Sequence, residues 1–133
     1  MEVWQDGQNL AVEVYTQFSR CRDYSFVDQI KRAVVSISNN VAEGAERKSN
    51  ADFARFLDIA KGSCGEVRSM LFLAIRLNYI SSESAQPLIE KSLSVSRQLG
   101  AFSKFLILRD RQIMRLTYTG KSERVVGHLL PGC

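Results

Sequence analysis

Apolar residues recur at helical spacing along most of this 133-residue chain. The longest such pattern covers residues 52–79 and contains two stripes, the first at alternating spacings of four and three and the second beside it. Together they cover about 200° of the helix surface, against about 100° for an ordinary surface helix. The pattern therefore predicts a helix that buries one stripe in its own core and offers the other to a neighbouring subunit. The first stripe is Phe53, Leu57, Ala60, Cys64, Val67, Leu71 and Ala74, and the second is Phe56, Ile59, Ser63, Met70, Leu73 and Leu77.

Three further amphipathic segments flank this helix. One covers about residues 3–20, one begins with a capping box at Ser25 and stops at Gly44, and one begins near Ser82 or Ser84. Ser49 is the expected cap of the long helix. No segment shows a strand pattern, so the chain is predicted to be all-α. Short connections between four helices favour an antiparallel up-down-up-down bundle over residues 1–110, followed by a basic tail, 111–133, that is flexible or docked on a neighbour.

Gly62 and Gly65 lie in the middle of the long helix, where each glycine costs about 1 kcal/mol relative to alanine. Their spacing indicates a groove of small residues that lets another helix approach closely, or else a kink. It does not match a phosphate-binding glycine loop, which follows a strand.

The composition, 45% hydrophobic and 24% charged, is that of one folded domain. No apolar run is long enough to span a membrane, and the opening MEVWQDGQ lacks the features of a secretory signal, so a cytoplasmic location is expected. Cys21, Cys64 and Cys133 have no metal-ligand spacing. They are interpreted as reduced structural thiols, with Cys64 acting as a small hydrophobe.

The sequence offers little chemistry for catalysis. His128 is the one histidine, so neither a catalytic triad nor a di-iron site can be assembled, and no cofactor, metal or small-molecule substrate is predicted. A partly buried Glu66 or Glu43 could act as an acid or base, or could pair with an arginine. Asn40, Glu43 and Arg47 form either a binding rim or a set of helix-end contacts. We predict that the protein is not an enzyme.

Positive charge is concentrated near the C-terminus. The net charge is +4, and residues 109–133 hold five Lys and Arg against two Asp and Glu. Basic side chains near phosphates give salt-dependent, sequence-independent affinity, and repetition in a ring would multiply weak sites. The nucleic-acid-binding candidates are Lys31, Arg32, Arg47, Lys48, Arg109, Arg111, Arg115, Lys121 and Arg124.

Several stretches resemble the bacterial 23S rRNA intervening-sequence proteins. They are VWQDGQNLAVEVY, DQIKRAVVSISNNVAEGAERKS, DFARFLDIAKGSCGEV and LNYIS, within residues 3–108. The resemblance implies an antiparallel four-helix bundle that assembles into a homopentameric ring, and it brings no catalytic residues. Some members are encoded within insertions in 23S rRNA genes. A related group of basic pentameric bundles serves reverse transcriptases as accessory proteins and is thought to contact RNA.

These observations predict a non-enzymatic homo-oligomeric scaffold that binds RNA or a ribonucleoprotein. The alternative is a protein-interaction module, such as a reverse-transcriptase accessory protein, without direct nucleic-acid binding. An enzyme using Glu66 or Glu43 is the third hypothesis. On the second stripe, Met70→Glu is expected to dissociate the assembly while the helices survive. The subunit-interface candidates are Phe56, Ile59, Met70, Leu73 and Leu77.

Overall fold

A computed structural model describes residues 1–118. This part of the chain contains helices and no strand, which confirms the predicted all-α class. The helices are α1 (Glu2–Gln17), α2 (Tyr24–Ala45), α3 (Asn50–Arg76) and α4 (Ser82–Tyr118). The predicted tail begins inside α4, because residues 111–118 continue that helix. Lys121, Arg124, His128 and Cys133 lie outside the described residues.

The helix starts are fixed by side-chain caps. Ser49 caps α3 as predicted, with its hydroxyl accepting a bond of 3.1 Å from the backbone N–H of Asp52. For α2 the prediction of Ser25 was wrong. Asp23 is the cap, and its carboxylate accepts from the backbone N–H of Phe26 at 3.1 Å. The same carboxylate accepts from the Tyr79 hydroxyl at 2.8 Å, a contact with the α3–α4 connection that sequence spacing does not reveal.

Gly44 does not end α2, contrary to the sequence prediction, because the helix continues to Ala45. Its role is close packing between α2 and α3. A Cβ at this position would lie 2.8 Å from Cδ1 of Phe53 and 2.9 Å from Cβ of Phe56. The missing side chain of Gly44 therefore lets the start of α3 lie directly against the end of α2.

The first stripe of α3 forms the centre of the core. All of its members are buried except Phe53, which is half-buried and packs edge-to-face on Phe102 at a centroid distance of 5.1 Å. The other helices surround it with aliphatic side chains. The largest fully buried ones outside α3 are Leu10, Val14, Phe18, Ile30, Val34, Ile37, Val41, Val95 and Leu99.

Each helix contacts the next one along the chain, and α1 also contacts α4. Along α1 and α4, Asp6 accepts a hydrogen bond from Gln98, and Glu13 pairs with Lys91. Along α3 and α4, the amide of Asn50 donates to Asp110 at 3.1 Å. Because Asn50 begins α3, the last two turns of α4 continue beyond the start of α3.

In residues 1–118, no helix is both long enough and apolar enough to cross a bilayer.

Candidate functional site

The outward face of α3 carries apolar side chains that the chain does not cover. Ile59 is 43% exposed, Leu73 47% and Leu77 43%. Phe56 and Met70 do not share this exposure, since they are 7% and 8% exposed within the chain itself. The surface open to a neighbour is thus narrower than the second stripe. We call Ile59, Gly62, Glu66, Leu73 and Leu77 the outer strip.

The glycines of α3 lie in open space. A Cβ on Gly62 would meet no atom within 4 Å, and a Cβ on Gly65 would meet only the Arg68 guanidinium, at 3.7 Å. The predicted close approach of a helix does not occur here within the chain. Gly62 instead leaves a bare position in the middle of the outer strip.

The corner between α2 and α3 holds two arginines on one aromatic ring. The guanidinium carbons of Arg47 and Arg55 each lie 4.6 Å from the ring centroid of Phe56. Asp52 bridges them, with an oxygen 3.0 Å from Nη2 of Arg55 and an oxygen 3.8 Å from Nε of Arg47. Phe56 is therefore buried beneath cations, which a hydrophobic pattern does not reveal.

One carboxylate at this corner, Asp52, faces two guanidiniums, and the exposed Lys48 lies beside them. Over residues 43–55 the charges balance, because Glu43 and Glu46 are exposed there as well. The excess positive charge at this end comes from the end of α4, which holds Arg109, Arg111 and Arg115 against Asp110. Contact with the ring and the carboxylate holds the guanidiniums in place, so less side-chain entropy is lost when they bind an anion. Arg55 is not among the nucleic-acid candidates predicted from the sequence. The available signal was its position three residues after Asp52, which brings the two side chains together on a helix.

The predicted cations fall into two separate groups. Arg47 and Lys48 closely precede Asn50, whose amide reaches Asp110. Arg109, Arg111 and Arg115, on the last turns of α4, therefore lie at the same end as the α2–α3 corner. Lys31 and Arg32 lie about 20 Å away along α2, at 1.5 Å per residue. The Lys31 ammonium lies 4.6 Å from the ring centroid of Tyr15.

The polar candidates on α2 and α3 have different environments. Asn40 donates to the backbone carbonyl of Ser36 at 2.8 Å and to its hydroxyl at 2.9 Å. That hydroxyl shares a 2.8 Å bond with the hydroxyl of Ser63. Asn40 therefore belongs to a polar contact between α2 and α3. Glu43 and Glu66 are exposed.

Within residues 1–118 no three His, Cys, Asp or Glu side chains are grouped as metal ligands would be.

We call the end of the molecule that holds Arg47, Lys48, Arg109, Arg111 and Arg115 the cationic end. The side chains with shifted pKa values, Asp23, Cys64 and Tyr79, lie away from it. Burial raises the pKa of the Cys64 thiol to about 11, because the core disfavours the thiolate. The hydrogen bond from Tyr79 lowers the pKa of Asp23, and the same bond raises the pKa of Tyr79. Both effects follow from packing and capping, and neither prepares an acid or base for catalysis.

A groove of about 430 Å³ runs along the outside of α1 and α2. This groove is not among the surfaces predicted from the sequence. The signal for it was a row of uncharged residues at spacings of four and three on α1, formed by Gln8, Val12 and Tyr15. We call this surface the α1–α2 groove. Its lining is Gln8, Ala11, Val12, Tyr15, Thr16, Val35, Ser38 and Asn39.

Comparison with known proteins identifies the family. The chain superposes on the crystal structure of a protein of unknown function, from the S23 ribosomal protein family, from Bacteroides thetaiotaomicron. The TM-score is 0.72 at 27% sequence identity, over 77% of this chain and 98% of that one. No curated protein matches the chain. The model of the 23S rRNA-intervening sequence protein family matches residues 1–101. The chain therefore belongs to the 23S rRNA-intervening sequence protein family.

Proposed function

We propose that this protein is a non-enzymatic scaffold in the cytoplasm that forms a homopentameric ring and binds RNA or a ribonucleoprotein. In this proposal each subunit is an antiparallel up-down-up-down bundle. The opposed numbering of the contact pairs supports that topology, since Asp6 and Glu13 of α1 meet Gln98 and Lys91 of α4. The family name, which refers to a 23S rRNA insertion, agrees with an RNA partner.

The observation that carries the proposal is the exposed outer strip on a helix whose opposite face already fills the core. Exposed apolar side chains in a row mark a protein contact more often than scattered ones do. Ile59 lies one turn before the bare surface at Gly62, and Leu73 and Leu77 lie about three and four turns after it on the same face of α3. A second copy of the chain would remove this row from water.

The cationic end supports the nucleic-acid half of the proposal. Arg47, Lys48, Arg109, Arg111 and Arg115 lie together there, and in a ring the group would be repeated once per subunit. Each phosphate contact contributes modest affinity, and linked copies raise the effective concentration for the next contact.

The test combines solution mass with RNA binding across a salt series. We expect a mass several times that of one chain, and binding of a single-stranded RNA whose affinity falls with salt by a slope of about 0.7 per phosphate contact. The double variant Lys48→Ala/Arg111→Ala should reduce that slope. The matched control is Arg20→Ala/Arg22→Ala, which removes two exposed cations from the connection between α1 and α2 and should change it less.

Three outcomes would contradict the proposal. Absent or salt-insensitive RNA binding removes the nucleic-acid role. If the protein binds no RNA and a protein partner still copurifies with it after nuclease treatment, the result favours the protein-interaction module instead. A monomeric mass at micromolar concentration removes the scaffold itself.

A further inference from the structure

The α1–α2 groove has the composition of a subunit contact. None of its eight lining residues is charged, although 24% of the whole chain is. The centres of protein interfaces are depleted in charged residues and enriched in aromatic ones. Within the groove Val12 is 66% exposed and Tyr15 is 43% exposed. The groove therefore leaves an aliphatic and an aromatic side chain in water without a covering segment in residues 1–118.

The outer strip is the convex counterpart of this concave surface. It projects Ile59, Leu73 and Leu77 from a single helix, and the bare surface at Gly62 would let a neighbouring backbone come close. The groove and the strip differ in residues and shape. A contact between them is therefore heterologous, meaning that each copy uses one surface toward one neighbour and the other surface toward the next.

The two surfaces lie on either side of α2. Val35 and Asn39 line the groove on the side of α2 that faces α1. Ser63, one turn from Ile59, meets Ser36 on the side of α2 that faces α3. In a square arrangement of four helices such faces are about a quarter turn apart. A heterologous contact that rotates each subunit by about a quarter turn relative to the previous one closes a ring of a few subunits. If the two surfaces lay on opposite faces of the subunit, the same kind of contact would build an open filament.

Charge also matches across the two surfaces. Ser36 lies beside Ser63, and the contact pairs of α2 and α3 run in opposite directions, as Gly44 beside Phe53 shows. Lys31, five residues before Ser36, is therefore level with the turn of α3 that follows Ser63. Glu66 is exposed on that turn, within the outer strip. Lys31 lies at the edge of the groove, against the ring of Tyr15.

From these observations we infer that the α1–α2 groove of one copy receives the outer strip of the next copy, with Lys31 of the first beside Glu66 of the second. The inference rests on the proposed homo-oligomeric scaffold and assigns both of its surfaces. The contact sets the apolar side chains of the groove, Val12 and Tyr15, against the strip, and Glu66 in the middle of the strip reaches Lys31 at the edge of the groove.

Mixing two assembly-defective variants tests the geometry. Val12→Glu breaks the groove and Leu73→Glu breaks the strip, and both sites are exposed enough that the helices should remain folded by circular dichroism. Each variant alone should be monomeric. Mixed in equal amounts they should form a heterodimer, because each retains the surface that the other lacks. Leu93→Glu, at an exposed leucine on α4, is the matched control and should leave the wild-type mass unchanged.

The outcomes separate this contact from the proposed function. If the wild type is oligomeric and Val12→Glu has the same mass, the groove assignment is wrong and the scaffold stands. If each variant is monomeric and the mixture stays monomeric, the head-to-tail contact is wrong. A different protein that copurifies with Leu73→Glu but not with Val12→Glu would give the groove to that protein and overturn the inference. A monomeric wild type overturns the scaffold and the contact together.

A charge exchange tests the register. Lys31→Glu and Glu66→Lys should each weaken the assembly several-fold in dissociation constant, because each places like charges opposite one another. The double variant should recover most of the wild-type affinity. Single variants that change nothing, or a double variant weaker than both, would show that these residues do not meet.

Discussion

The two faces of α3 have the same kinds of residues and opposite environments. The inner face, with Leu57 and Leu71, is fully buried against the other helices. The outer face, with Leu73 and Leu77, is almost half exposed. Apolar character therefore does not by itself assign a residue to the core of its own chain. The difference is decided by which face the neighbouring helices cover.

Two helical glycines repeat the same contrast. Gly44 is buried, and a Cβ there would clash with Phe53 and Phe56 on α3. Gly62 is exposed, and a Cβ there would meet nothing within 4 Å. The first glycine is required by packing inside the chain. The second weakens the helix, and no packing contact in residues 1–118 requires it.

The largest expected effect comes from truncating the inner face. Leu71→Ala removes a fully buried side chain and leaves a cavity, which should lower the free energy of unfolding by about 2–5 kcal/mol. Leu73→Ala, two residues away on the outer face, should change the stability of the dissociated chain by no more than about 0.5 kcal/mol. Urea unfolding at low protein concentration measures both. Equal losses would remove the distinction between the faces.

A smaller loss is expected from Gly44→Ala. The added methyl group must displace the Cβ of Phe56, which cannot move without the helix, and such overpacking costs about 1–3 kcal/mol. The better helix propensity of alanine recovers about 1 kcal/mol. The net result should be destabilisation, measured by thermal unfolding. A stabilised variant would show that α2 and α3 separate easily at this corner.

The next variant tests whether a hydrogen bond, in addition to the packing of the inner face, stabilises the region that follows α3. Tyr79→Phe removes the hydrogen bond to Asp23 and should lower Tm by a few degrees at neutral pH. This bond lowers the pKa of Asp23, so its stabilisation is present above the ordinary value of 3.8 and disappears as pH falls through the lowered pKa. It raises the pKa of Tyr79, so its stabilisation is present below the ordinary value of 10.0 and disappears as pH rises through the raised pKa.

The measurement is the Tm of both chains across pH. The difference between wild type and Tyr79→Phe should be largest in the neutral range and should shrink toward strong acid and strong base. Tyr24→Phe, at an exposed tyrosine nearby, is the control and should give no such profile. A difference that does not vary with pH would assign the effect to ring packing against Phe26.

The smallest expected effect is a gain in stability. Gly62→Ala should stabilise the dissociated chain by about 0.5–1 kcal/mol, because the helix gains propensity and the methyl group enters open space. If a neighbouring copy approaches this position closely, the same methyl group should weaken the assembly. Stability at low concentration and mass at high concentration separate the two results.

Periodicity predicted the helices and the buried stripe of α3, because a repeat of three and four depends only on helical geometry. The predicted cap at Ser49 was also correct. The predictions that failed depended on contacts between distant segments. Asp23 replaces Ser25 as a cap while it also accepts a bond from Tyr79, and Gly44 is placed by the start of α3 rather than by the end of α2.

The candidate site shows the same limit. The sequence placed Phe56 and Met70 among the contacts with a neighbour, but Phe56 is covered by Arg47 and Arg55, and Met70 joins the core. Met70→Glu is therefore expected to destabilise the subunit itself. The sequence identified the cations, but only the fold shows that they form two groups about 20 Å apart. The α1–α2 groove was missed because it joins residues from two helices.

The order of contacts along the chain has a kinetic consequence. In residues 1–118 each helix packs on the one that precedes it, and α1 with α4 is the only pair of non-consecutive helices in contact. Chains dominated by such local contacts fold in microseconds to milliseconds, since little loop entropy is lost before packing begins. The first three helices can pack as they leave the ribosome, and the arrival of α4 then closes the core against α1.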